Sequence, residues 1–490
     1  MSPPSTQIRL NKRPCETEKV KGNRGGGNGM TKNRERFLQP DRLIWVLLLL
    51  LLIERLLLFI QLGPDYLSYS DDEAYVKAGL FFAETGTISM WGPFPSAMIM
   101  PAMPVVIGLF SFVFGSGTAL LVSVKLLWIL MGVMTAFVVY KSVTLFCSGW
   151  AGLFAAAHFL IPNLAWMNHV LLTETPYMLF LSLAVYETLC LGEHFERIHA
   201  VRYLIVYMAG LMFRTNMLLL PLFTGGYLLC RHVSIRTLLK PAAVLCCTLL
   251  LFVIPWTIRN YNQFGAFIPI TYGGGNPFLL GTYQGEGYPG DEELDYETNV
   301  RDVMYSRYAS YYRDEKQPWT ADQDTAYYIE HFDPEGEVKE LKHAQFLSLQ
   351  ADGIKAKYRV QEWQQRNLAG FLKSYLLIKP RWLLNWSWAW EEAFHVPYQT
   401  LHRLSQLNAI FCALTVLLSL VKNKYRAPVL FLSIAYLVSI YLYATAFVSD
   451  RYASTLMLFR YALTGFGMVL CLDRYLQRTE TIQTDGRIGD

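Results

Sequence analysis

The chain has 490 residues, 53% of them hydrophobic and only 17% charged, with a formal net charge of +4. Soluble globular domains carry about a quarter charged residues, so this balance excludes an ordinary water-soluble protein. The net charge itself decides little, because the charges are unevenly spread along the chain.

Residues 1–42 hold ten Lys/Arg against four acids and the run Gly25-Gly26-Gly27. This reads as a disordered basic cytoplasmic tail that sets orientation, since positive flanks stay inside. It is too long and polar for a cleaved signal peptide, and no nucleic-acid partner is expected. Long apolar blocks follow, such as 43–53 and 244–254, the pattern of membrane-spanning helices.

Loop charge orders the blocks. Residues 43–62 cross outward. The first outer loop, 63–117, opens with Asp65, Asp71, Asp72, Glu73 and Glu84 against a single Lys in 63–97. The stretch 98–115 is broken by Pro101 and Pro104 and is placed in the interface or as a re-entrant element. Residues 118–140 cross inward, 151–168 outward and 173–191 inward, with Arg197 and Arg202 inside. Two short runs, 203–213 and 217–230, surround Arg214-Thr215-Asn216, and 241–258 cross outward to Arg259 and Asn260. Residues 262–372 form an extracytoplasmic cap rich in Tyr, opening with Tyr272-Gly273-Gly274-Gly275. Those glycines permit close backbone approach to a ligand. The Trp-rich stretch 371–398 is interfacial or re-entrant. Spans at 404–421, 427–447 and 453–473 complete a C-terminal module, 373–475, before a short cytoplasmic tail, 476–490. The N-terminal module is 43–261.

The expected fold is an all-α polytopic membrane protein of about 10–12 helices, in the cytoplasmic membrane, with both termini inside. The eight cysteines lie in the tail, in apolar runs or near inner loops, so neither a disulfide framework nor a metal-binding Cys spacing is expected.

The outer face gathers groups that are costly near lipid. Asp71, Asp72 and Glu73 follow the first span, and His169 and Glu174 lie at the start of a later apolar run. Arg214, Arg259 and Asp450-Arg451-Tyr452 lie at the same face. Carboxylates there suit a general base or a divalent metal ion, and arginines suit a lipid-linked phosphate. The plainer readings are helix-first-turn acids for Asp71–Glu73 and Glu174, and snorkelling for Arg214 and Arg259. Glu54-Arg55 reads as a self-compensating pair, or with Arg55 turned inward.

Several stretches resemble the GT-C superfamily of polyprenyl-phosphate-dependent glycosyltransferases, in the branch related to protein O-mannosyltransferases and the lipid A aminoarabinose transferase. They are Asp71-Asp72-Glu73-Ala74-Tyr75 with Ala83-Glu84-Thr85-Gly86, and Pro101-Ala102-Met103-Pro104 with Phe114-Gly115. They continue with Leu172-Thr173-Glu174-Thr175-Pro176, Gly210 to Thr215, Pro255 to Tyr261, and Asp450-Arg451-Tyr452. The resemblance runs from about residue 43 to 473 and implies a membrane bundle with juxtamembrane amphipathic helices. It also implies a polyprenyl-phosphate-linked sugar donor, and transfer to an acceptor glycan, lipid or protein on the extracytoplasmic face. It assigns the base to Asp71 or Asp72 and a second acid to Glu174. Arg214, Arg259 and Arg451 become donor-phosphate ligands. Tyr75, His169, Asn260, Tyr272 and Tyr452 are candidates for substrate contact. The alternatives are an oligosaccharide ligase or polymerase using a diphosphate-lipid donor, and a transporter or lipid flippase. A transporter would place its polar residues near the midplane, often within repeats.

Overall fold

The computed structural model describes residues 39–68, 70–312, 338–385, 393–421 and 425–485, with side chains as far as residue 472. The basic tail before residue 39 and the end of the C-terminal tail therefore lie outside the described residues. Everything described is helical or irregular, apart from one isolated antiparallel bridge between Tyr312 and Val338.

Six helices are long and apolar enough to cross a membrane: Pro40–Leu62, Thr118–Thr144, Glu174–Glu193, Ile235–Phe264, Tyr398–Val421 and Arg426–Ala444. Shorter apolar helices lie at Ala102–Phe114, Gly149–Leu160, Thr215–Cys230 and Met457–Leu472. The chain is thus an all-helical polytopic membrane protein. Pro40–Leu62 has a proline at its N-terminus, where the missing N–H costs nothing, and stops at Gly63 with φ 90°. Its 23 residues rise about 35 Å, enough for a hydrocarbon core of about 30 Å. Ala102–Phe114, with 13 residues, rises only about 20 Å, so it does not span alone.

One span read from the sequence is different. The stretch 151–168 is divided into Gly149–Ala157, a 3-10 turn at His158–Leu160 and Pro162–Met167. Pro162 lacks the N–H that would bond back into the preceding turn, so the continuous helix ends before it.

Three features bring the sequence-selected groups together. First, Asp71–Thr85 and Ala102–Phe114 cross closely at Gly79 and Gly108. A Cβ added to Gly79 would meet the Ile107 Cβ at 2.5 Å. The first helix ends at Gly86 in the left-handed region, φ 68°, and its N–H bonds to the Phe82 carbonyl.

Second, Glu174–Glu193 and Arg197–Phe213 form a hairpin. Glu174 begins the first helix and Arg214 follows the second, so the two meet at one end.

Third, the cap has its own apolar core. Ile88, Phe94 and Ala97 of the first outer loop pack there with Trp256, Phe264, Tyr272, Phe346 and Leu349. The cap glycines serve this packing. A Cβ at Gly273 would lie 2.4 Å from the Met98 carbonyl, and one at Gly275 would lie 1.9 Å from the Leu349 carbonyl. The close backbone approach expected for a ligand is made here to the chain itself.

Candidate active site

Four of the sequence-selected groups converge. Glu174 is fully buried and receives two guanidinium groups. Arg214 Nη1 donates to Oε1 at 2.7 Å, and Arg451 Nε donates to the same oxygen at 2.7 Å. Arg451 then reaches outward, and its Nη1 donates to Asp71 Oδ2 at 2.6 Å. Asp71 stays about one-third exposed, while the Arg214 and Arg451 side chains are 14% and 13% exposed. The order from core to surface is therefore Glu174, the two arginines, then Asp71.

Each member is held by its element. Arg451 lies in Asp450–Ser454, whose N-cap Ser449 accepts the Arg451 N–H at 3.3 Å. The Arg214 guanidinium sits between the Tyr177 and Tyr452 rings, at 5.6 and 5.4 Å from their centroids, an arrangement favourable for a cation. Tyr452 also stacks on Tyr443. Burial works against both arginine charges, but the carboxylates outweigh it and hold Arg214 and Arg451 above their ordinary range. Tyr75 is buried next to this cluster, and burial with the Asp71 charge pushes its phenol up.

The neighbouring acids are used differently. Asp72 is fully buried and accepts from the Ser68, Ser70 and Glu73 backbone N–H groups at 2.6, 3.1 and 3.0 Å. It ties the loop to the helix start, as acids do at helix N-termini. Glu73 pairs with Lys77 at 2.8 Å on the surface. Of the three acids, Asp71 alone pairs with an arginine among the described residues.

Other candidates lie elsewhere. Arg259 donates to the Ser96 and Ile88 carbonyls at 2.8 and 3.2 Å, and to Asn260 Oδ1 at 2.9 Å. Asn260 in turn donates to the Ile268 carbonyl at 2.9 Å. Tyr272 donates to Gln345 Oε1 at 2.6 Å inside the cap core. Arg259 thus ties the first outer loop to the end of Ile235–Phe264, and Tyr272, 3.1 Å from Ser96 Oγ, ties that loop to the cap. His169 is buried, with its ring 6.1 Å from that of Phe59. Arg55 is buried as well. It pairs with Glu54 at 2.8 Å and donates to Asn168 Oδ1 at 2.8 Å, which combines both readings of that pair.

Sequence reasoning passed over Tyr177 and Gln284. Tyr177 was accessible, because it lies one turn after Glu174 on the same helix face. Gln284 was not, because its partner Val448 is 164 positions away.

As it stands, the cluster offers two guanidinium groups that keep further N–H donors, beside a carboxylate open to one side. Such a set can hold an anion and accept a proton.

No protein-family pattern and no curated protein matches the chain. Among solved structures it is similar to ArnT from Cupriavidus metallidurans in the apo state, with 17% identity over 86% of this chain and 77% of that one, TM-score 0.38. The form of that protein bound to undecaprenyl phosphate gives 15% identity over 87% and 77%, TM-score 0.38. The Archaeoglobus fulgidus oligosaccharyltransferase in the apo form gives 12% identity over 89% of this chain and 52% of that one, TM-score 0.49. The proteins this chain is similar to are members of the GT-C superfamily.

Proposed function

We propose that this chain is an integral-membrane glycosyltransferase. It moves a sugar from a polyprenyl-phosphate carrier to an acceptor glycan, lipid or protein on the extracytoplasmic face, with inversion. The observation that carries this reading is Arg451, shared between the partly exposed Asp71 and the fully buried Glu174, with Arg214 on the same carboxylate. The motif resemblance supports it, and the loop charges favour the cytoplasmic membrane with both termini inside.

In this reading the acceptor hydroxyl oxygen attacks the anomeric carbon. The bond from that carbon to the phosphate oxygen breaks, and its electron pair leaves with the phosphate. Asp71 takes the acceptor proton. Arg214 and Arg451 bind the phosphate and offset the negative charge that grows on it. An arginine has five N–H donors in a planar fork, and Arg214 spends one of them on Glu174. Glu174 is a positioning residue that keeps both guanidinium groups fixed before the donor arrives. Tyr75 and Tyr452 flank the reacting groups, and Arg259 and Tyr272 hold the first outer loop in place.

The test uses the full chain purified into lipid, with radiolabelled polyprenyl-phosphate sugars and a mixed cell extract as acceptor, with and without divalent ions. Label leaving one carrier with the native chain, but not with Asp71→Asn, is the expected result. No turnover of any donor by folded protein overturns the reading. Transfer from a diphosphate-lipid glycan alone would instead identify a ligase or polymerase.

A further inference from the structure

The hairpin that presents Glu174 and Arg214 is fastened at its other end by three groups of different chemistry. Glu187 and Cys190 are three residues apart on Glu174–Glu193, so they share one helix face. His199 comes from the next helix, Arg197–Phe213. One oxygen, one sulfur and one nitrogen from these residues all lie within 4.8 Å of one another. Glu187 and Cys190 are each 5% exposed, and the His199 side chain is 18% exposed. His199 Nδ1 is 2.5 Å from Glu187 Oε2.

We infer that Glu187, Cys190 and His199 form a binding site for a borderline transition-metal ion, of which zinc is the natural member, that clips the two helices together. A thiolate and an imidazole select zinc-like ions over magnesium or calcium, which prefer all-oxygen cages. Two anionic ligands and one neutral imidazole bring a divalent ion to neutrality, which suits a buried place. A tetrahedral ion with bonds of about 2.0–2.3 Å holds its ligand atoms about 3.5 Å apart. Entry therefore parts Glu187 from His199 slightly and draws Cys190 inward. Binding transfers the Cys190 thiol proton to solvent and replaces the Glu187–His199 hydrogen bond with two metal bonds. The Nδ1 proton of that hydrogen bond leaves as the metal takes its place, and the neutral imidazole takes up a proton from solvent on Nε2.

Glu187 lies 13 residues after Glu174, about 20 Å along the helix. The clip thus fixes the register of a hairpin whose far end carries the Glu174–Arg214 pair. The metal readout does not depend on transfer activity, so it stands or falls separately from the reading above.

The experiment is elemental analysis of the full chain purified without chelator, followed by cobalt exchange and absorption spectroscopy. The expected result is about one zinc per chain and a thiolate-to-cobalt charge-transfer band. Cys190→Ser should abolish the band, and Cys230→Ser should leave it intact. The cobalt spectrum of the native chain needs no variant, so misfolding of Cys190→Ser does not block the test. Native protein with no metal above the Cys190→Ser level, and no charge-transfer band with cobalt, would show a hydrogen-bonded Glu–His pair beside a thiol and overturn the inference.

Discussion

Gln284 grips Val448 by both of its main-chain groups. The side-chain amide donates to the Val448 carbonyl at 2.9 Å and accepts the Val448 N–H at 2.6 Å. Val448 is three residues ahead of Arg451, so a residue of the cap sets the start of the turn that carries the shared guanidinium. Nearby, a Cβ on Gly281 would meet the Ala446 backbone at 2.5 Å. Gln284→Ala should lower transfer about tenfold, equivalent to ~1.4 kcal/mol on the barrier, with little change in unfolding temperature. Unchanged activity would sink the role given to this grip.

The two neighbouring aspartates should separate cleanly. Asp71→Asn should abolish transfer and leave thermal stability almost unchanged. Asp72→Asn should do the reverse, because it weakens three backbone hydrogen bonds to a buried carboxylate. The cost is about 1–3 kcal/mol, read as a lower unfolding temperature with residual activity. Equal losses of activity and stability in both variants would argue against the division.

Removing Glu174 should be severe. Glu174→Ala leaves Arg214 and Arg451 side by side without their common buried partner. Breaking a buried ion pair in this way costs about 3–5 kcal/mol. Thermal unfolding of the purified protein measures it, and a shift of a degree or less would show that the charges find other partners.

Stability should also respond to pH through Lys379. Its ammonium is fully buried, donates to the Gly281 carbonyl at 2.9 Å and lies 3.9 Å from the centre of the Tyr375 ring. Burial lowers its pKa to about 7, against about 10.4 in an unfolded chain. Between these values the unfolded chain binds the proton and the folded chain does not, so stability rises with pH across that window. The penalty for charging the buried group is complete below about pH 7. Lys379→Met should flatten the rise between pH 7 and 10. The same slope in both proteins would place its origin elsewhere.

The legible parts of the molecule are those governed by local rules. The break at Arg214 was readable because Gly210 to Asn216 separates two runs too short to span. The helix after the first outer acids was readable from its acidic start and its closing Gly86. The different surroundings of Asp71 and Asp72 were not readable. Both sit at one helix start, where neighbouring side chains point about 100° apart, and the backbone N–H groups of Ser68 and Ser70 take up Asp72. The neighbours of Arg259 and Tyr272 were not readable either. Their partners come from Ile88, Ser96 and Gln345, and hydropathy carries no record of contacts across 73 to 171 positions. The break within 151–168 was missed because average apolarity outweighed one proline in the reading, whereas in the backbone Pro162 ends the helix.

The helix Ile235–Phe264 has a different relation to its surroundings from the other spans. None of its most apolar 18-residue window is buried, against 78% for Glu174–Glu193. Its enclosed residues, Trp256, Asn260 and Phe264, all fall in the last nine positions. The chain is therefore moored at the cap end and otherwise rests along the body through partly covered residues such as Leu245, Leu249 and Phe252. Over most of that length the order of the letters carries little information. Leucine, valine and isoleucine are nearly interchangeable there, and the lean of this helix is set by its mooring at the cap end and by the few residues it rests on.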